Sequence, residues 1–158
     1  MRLRLAPMLA LACLVSVAFP ASAADPPHGM FTPSDIKWGD APPTVPKGAK
    51  LAVLYGDPNK DGHFVVRAKL PANYRIPAHS HPTDEVVTVL SGTLFVGMGD
   101  KLAPASVHPF PAGSLVVAPA KTNHYVLTKQ PTVIEISAMG PLQFTYVNPA
   151  DDPSKQQK

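Results

Sequence analysis

An all-β domain, a sandwich or barrel of short strands, is the fold that this sequence predicts. Apolar runs rich in β-branched residues recur at regular spacing between Leu51 and Val147. Turn residues separate them, and 20 prolines are scattered without period, which argues against long helices. With 45% hydrophobic and only 16% charged residues in 158, the chain can build the core of one domain.

Residues 1–23 read as a secretory leader rather than as part of the fold. M-R-L-R carries two cations, Leu5 to Phe19 is almost wholly apolar, and Ala21-Ser22-Ala23 supplies an A-x-A site. Cleavage is expected after Ala23. The apolar run, about 15 residues, is short for a membrane span of roughly 20, and Pro7 and Pro20 interrupt it. A-L-A before Cys13 fits a lipoprotein site poorly. Loss of Arg2 and Arg4 lowers the formal charge from +3 to +1 (3 − 2), and no basic block remains. Nucleic acid binding is therefore not expected, nor membrane association after cleavage. Cys13, the one cysteine, leaves with the leader, so the mature chain carries neither thiol nor disulfide. The expected location is a bacterial periplasm, or secretion.

Residues 24–48 read as an extended arm, with D-P-P-H-G and G-D-A-P-P-T-V-P-K-G as its turn-rich stretches. Phe31, Ile36 and Trp38 are its expected anchors, with Trp38 a plug over one end of the core rather than a pocket wall. The barrel follows over 49–148. Strands are expected at 51–55, 63–70, 74–81, 85–90, 93–98, 114–119, 124–128, 132–138 and 142–147. The pair 85–90 and 93–98 reads as a hairpin around Gly92. The polar tail, 149–158, is expected to fray.

The chemistry lies in H-S-H-P-T-D-E, His79 to Glu85. Alternate residues of a strand share a face, so His79 and His81 point the same way, about 7 Å apart along the chain. Pro82 turns the chain, and Glu85 can return its carboxylate to the same point. Two imidazoles and a carboxylate suit a first-row transition metal. His124, opening a later strand, is a candidate fourth donor. Asp84 alternates away from Glu85 and reads as solvent-facing. No G-x-S-x-G, strand-linked G-x-G-x-x-G or P-loop occurs, which disfavours nucleophilic hydrolysis and nucleotide binding.

These residues resemble the first motif of the cupin family, G-x5-H-x-H-x3-E-x6-G, over Asn73 to Gly92, with Asn73 in place of the opening glycine. The second motif, P-x-G-x2-H-x3-N, is matched at Pro119 and His124, with Lys121 replacing Gly and Thr128 replacing Asn. W-G-x-A-P-P at Trp38 to Pro43 and Y-V-N-P-A-D-D-P at Tyr146 to Pro153 resemble a subgroup of exported bacterial cupins of uncharacterised activity. The resemblance implies a jelly-roll barrel, the double-stranded β-helix of small single-domain cupins. It implies His79, His81, Glu85 and His124 as ligands of one divalent transition metal, whether Fe, Mn, Ni, Cu or Zn. It also implies a homodimer.

Two candidates for proton transfer remain. Glu135 shares a strand face with Ser137, and it is a general base only if that face points inward, which alternation leaves open. His108 lies in the segment that rims the pocket in cupins and is a candidate for a substrate or proton role there. His28 and His63 read as surface residues. Tyr74, Phe95, Met98 and Gln143 read as packing residues or pocket walls. The expected function is a metal-dependent enzyme acting on a small molecule, a dioxygenase, isomerase or lyase. A non-catalytic metal- or ligand-binding sensor is the alternative.

Overall fold

The computed structural model describes residues 29–156. The expected leader with its cleavage point, His28 and the start of the arm lie outside them. Eleven strands form two antiparallel sheets. The first sheet takes β1 (Gly39–Asp40), β2 (Lys50–Tyr55), β3 (Gly62–Leu70), β10 (Thr132–Gly140), β5 (Glu85–Ser91) and β8 (Leu115–Ala118) in that spatial order. The second takes β11 (Thr145–Tyr146), β4 (Arg75–Ser80), β9 (His124–Thr128), β6 (Thr93–Met98) and β7 (His108–Pro111). Helical structure among the described residues is limited to three short 3₁₀ turns, and no helix is long and apolar enough to cross a membrane.

Alternation builds the core. Phe64, Val66, Ala68 and Leu70 of β3 face inward, as do Ile134 and Ala138 of β10 and Val87 and Val89 of β5. Leu94, Val96, Ile76 and Val126 meet them from the second sheet. Burying such side chains contributes roughly 1.5–3 kcal/mol each. On β9 every residue is buried, because the outer face is covered too. Tyr125 packs on Gly97, where an added Cβ would lie 2.1 Å from the ring, and its hydroxyl donates to the Ala103 carbonyl at 3.4 Å. The Pro104–Ser106 turn lies in the segment that covers this face.

The 85–98 region departs from the expected hairpin. β5 pairs with β10 and β8, while β6 pairs with β9 and β7. Gly92 is instead a corner between the sheets, at φ +78°, where a Cβ would meet the Pro131 carbonyl oxygen at 2.5 Å. The segment expected as a proline loop contains β7, whose Pro109 and Pro111 are tolerated at the edge of its sheet. Over 142–147 only Thr145 and Tyr146 pair as a strand.

The arm docks differently from expectation. Ile36 is buried, but Phe31 is exposed. Trp38 does not plug the barrel; it lies under the Lys69 ammonium, 4.0 Å from the ring centroid, on the outer face of the first sheet. The arm is held by two tyrosines, Tyr146 donating to the Thr44 carbonyl at 2.7 Å and Tyr74 donating to that of Pro46. The tail is more ordered than expected through Gln156, since Asn148 and Asp152 cap successive 3₁₀ turns with their carboxyl or amide oxygens.

Candidate metal centre

The histidines reach one point because β4 is irregular. Ile76 pairs with Val126 and His79 with His124, so three steps on β4 match two on β9. The extra residue is a bulge at Pro77–Ala78. Ile76 faces the core by even parity; past the bulge the odd residues His79 and His81 face inward instead. Proline inside a central strand is the visible sign of such a bulge.

Two left-handed turns lead into the strands that carry the site, β4 and β9. Asn73 (φ +58°) and Lys121 (φ +60°) stand where the two motifs carry glycine. The second turn is tied down on both sides. Lys121 N donates to the His81 carbonyl at 2.8 Å, and Ala120 N donates to Asp84 Oδ1 at 2.7 Å. Asp84 is thus an exposed clamp on the turn that delivers His124. Thr128, in place of the motif asparagine, is buried and ties β9 to the turn between β3 and β4. Its hydroxyl donates to Pro71 O at 2.6 Å and accepts from Tyr74 N at 3.0 Å.

His79, His81 and His124 bring one donor atom each within 4.8 Å of the others. They are 2%, 5% and 3% exposed, and Glu85 is 8% exposed. Each Nδ1 lies against a backbone carbonyl: Pro77 at 2.7 Å, Gln143 at 2.7 Å and Thr122 at 3.1 Å. These contacts assign Nδ1 as the protonated nitrogen and leave each Nε2 as a lone pair. Nε2 of His81 and of His124 is buried with no hydrogen-bond partner among the described residues, and each is 3.7 Å from Glu85 Oε2. Those distances would suit ion pairs, but burial opposes charge on either side. Desolvation pushes all three imidazoles below the ordinary histidine value, His79 furthest, where the neighbouring His124 and His81 add to it. Desolvation raises Glu85, with His124 opposing. We therefore read the metal-free cluster as neutral imidazoles beside a carboxyl group.

The donor set fits a divalent transition ion. For bonds of about 2.1 Å, two donors on one ion sit about 3–4 Å apart, close to the spacing present. Unprotonated nitrogens buried without a partner, as at His81 and His124, are costly unless a cation takes their lone pairs, and the carbonyl contacts behind the three imidazoles are the usual outer partners of metal-bound histidine.

The proton-transfer candidates separate. Glu135 faces outward on β10, where Arg67 Nε donates to its Oε2 at 2.7 Å, so it is not a base for this cluster. Ser137, on the same outer face, contacts His63 Nε2 at 2.8 Å. His108 is exposed on β7 and pairs with the core residue Val96, one inner-face row from the Met98–His124 pair. Of the suggested walls, Tyr74 is core, Phe95 lies on the outer side under Lys129, and Met98 and Gln143 are exposed at the mouth. Sequence reasoning missed Phe144, whose ring lies 4.9 Å from that of His79 and 4.7 Å from that of His81. Alternation with Leu142 and Tyr146 was the available signal.

Two sheets closed around a cluster of inward histidines define the chain as a cupin-type double-stranded β-helix. Among solved structures, it is similar to the polyketide cyclase RemF from Streptomyces resistomycificus, with TM-score 0.67 and 17% identity over 81% of this chain and 91% of that one. An RmlC-like cupin from Shewanella frigidimarina gives TM-score 0.56 and 15% identity over 72% and 91%. KdgF from a Halomonas species gives 0.54 and 18% over 72% and 96%. At these identities the likeness shows the fold alone. No curated protein matches the sequence. A family model described as "Domain of unknown function (DUF4437)" matches residues 30–145, and the chain belongs to that family.

Proposed function

We propose that the chain is a metal-binding cupin that holds one divalent transition ion through Nε2 of His79, His81 and His124 and the carboxylate of Glu85. The observation that carries this is the convergence of three buried histidine donors, with Nε2 of His81 and of His124 facing the Glu85 carboxyl group and without a hydrogen-bond partner among the described residues. When bound, such an ion supplies Lewis acidity and open coordination positions. The chain's own part is to fix the imidazole tautomers through three carbonyls, present the Glu85 carboxyl group beside His81 and His124, and exclude water. The reaction class we assign is that of a dioxygenase, isomerase or lyase acting on a small molecule. One protein of similar fold is named as a polyketide cyclase, which supports an enzyme. His108 is the remaining candidate for moving a proton at the mouth. A non-catalytic sensor is favoured by one observation, the outward turn of Glu135.

Metal analysis of protein recovered from its own compartment, beside His81→Ala, tests the centre. The wild type should carry close to one equivalent and the variant far less; equal content in both refutes the proposal. The compartment we assign is the periplasm, on the leader expected at 1–23.

We also propose that the outer face of the first sheet pairs with a second copy. Tyr55, Leu90, Leu115, Val117 and Met139 are exposed there. The Arg67–Glu135 pair sits among them and suits a two-fold contact, since each charge can meet its opposite in the partner. The second sheet, by contrast, has part of its outer face covered by its own chain. Sedimentation should give a dimer that Leu115→Glu dissociates; a wild-type monomer at micromolar concentration overturns it.

A further inference from the structure

We infer that Phe144 is the residue that sets which molecules reach the metal centre, acting as a fixed aromatic wall that admits small donors and turns away broad ones. This rests on the metal reading above.

The wall is built from the segment that leaves β10 and crosses the mouth to β11. It is pinned on both sides of Phe144. Leu142 N donates to the Pro58 carbonyl at 2.7 Å, and its side chain packs against the cluster of Phe64, Val66 and Ala138. Beyond Phe144, Tyr146 is buried and pairs with His79 in the ladder, and Val147 N donates to Ala78 O at 2.9 Å. Between these anchors the Gln143 carbonyl takes the His81 Nδ1 proton. The backbone at Phe144 therefore has little freedom to swing aside.

The phenyl ring lies against His79 of β4 and His81 just beyond that strand. It is tilted 31° to His79 and stands nearly edge-on, at 82°, to His81. Tyr146 stacks behind it at 6.1 Å. Both imidazoles are almost wholly buried while Phe144 is only partly so, which places the ring between them and solvent. On another side of the cluster, Met98 pairs with His124 and is 53% exposed. An unbranched thioether yields readily, whereas a stacked ring held by a pinned backbone does not. A ligand of the metal must then approach past Met98 and fit against the Phe144 face. Apolar shells of this kind govern access to a metal as well as its surroundings.

The test uses the Co(II)-loaded full chain and its visible spectrum, titrated with azide as the slim donor and imidazole as the broad one. Wild type, Phe144→Leu and Phe144→Ala are compared. Azide affinity should stay within about twofold across the series. Imidazole affinity should rise stepwise from Phe to Leu to Ala, by at least about tenfold overall, as removal of side-chain bulk in a binding pocket does. Imidazole affinities that stay within about twofold, or that move in parallel with azide, overturn the wall and leave the metal centre standing. If the alanine variant does not fold, the leucine variant decides by the same comparison. A folded wild type that takes up no Co(II) overturns the metal reading, and the wall with it.

Discussion

Replacing Thr128 by valine removes one oxygen and almost nothing else. The hydroxyl is buried and ties β9 to both ends of the turn between β3 and β4, donating to Pro71 O at 2.6 Å and accepting from Tyr74 N at 3.0 Å. Thr128 N also donates to Tyr74 O at 3.0 Å, and that bond survives the change. Two net hydrogen bonds are worth about 0.5–1.5 kcal/mol each, and each partner left dry adds about 1–3 kcal/mol where water cannot reach it. The Tyr74 amide and Pro71 carbonyl lie near the surface turn at Asn73, so partial rehydration is expected. We therefore place the loss at about 2–4 kcal/mol, a fall in Tm of roughly 6–15 °C for a domain of this size. Urea unfolding followed by far-ultraviolet circular dichroism reads it directly. Thr128 ends β9 at the opposite end from His124, so metal content of the folded variant should match the wild type. A loss below about 0.5 kcal/mol would refute the hydroxyl as a stabilising tie between β9 and the β3–β4 turn, because that is the size of an ordinary surface change.

Other outcomes follow from the same geometry. At Lys121, φ +60° suits glycine, so Lys121→Gly should unfold at the same or higher urea concentration, while Lys121→Val loses about 1–2 kcal/mol. The metal-free protein should weaken as pH falls below the ordinary histidine value of 6.5, because unfolded imidazoles take up protons that His79, His81 and His124 refuse when folded. Glu85, raised by burial, works the other way, since its folded carboxyl keeps a proton that the unfolded one has lost above about 4.5. Three groups against one leaves a net fall between pH 7 and 5.5, measurable by urea midpoints. A midpoint that rises over that range would contradict the assignment of neutral buried imidazoles.

Much of the fold was legible because β-branched runs and proline punctuation are local signals. What the chain does at corners is not local. The hairpin read at Gly92 came from two adjacent strands and a glycine, and the same words also describe a chain passing between sheets; the Pro131 carbonyl that makes the corner comes from 39 residues away in sequence. Glu135 shows a second limit. Alternation pairs it with Ser137, but it cannot say which face is inner until Phe64 and Val66 on β3 are known to be its neighbours' core. The four candidate donors were named from spacing and resemblance; the geometry gathers the three histidines, with Glu85 beside His81 and His124. Phe144 was missed: alternation in L-Q-F-T-Y-V puts it on one face with Leu142 and Tyr146, but does not say that this face meets the histidines.

The bulge in β4 has a consequence for how this site is written in the chain. Ile76 and the histidines obey opposite parities, and one extra residue at Pro77–Ala78 separates them. The site is thus specified by a count as much as by residue identity. Pairing the same residues without the bulge would turn His79 and His81 to the outside, although every donor is still present. Deleting one of the two bulge residues would instead leave two steps from Ile76 to His79, so a straightened β4 keeps the histidines inward and opposite His124. Grafting Ile76 to His81 at full length onto a regular strand of another barrel would put Ile76 and the histidines on opposite faces, unless the bulge travels with it.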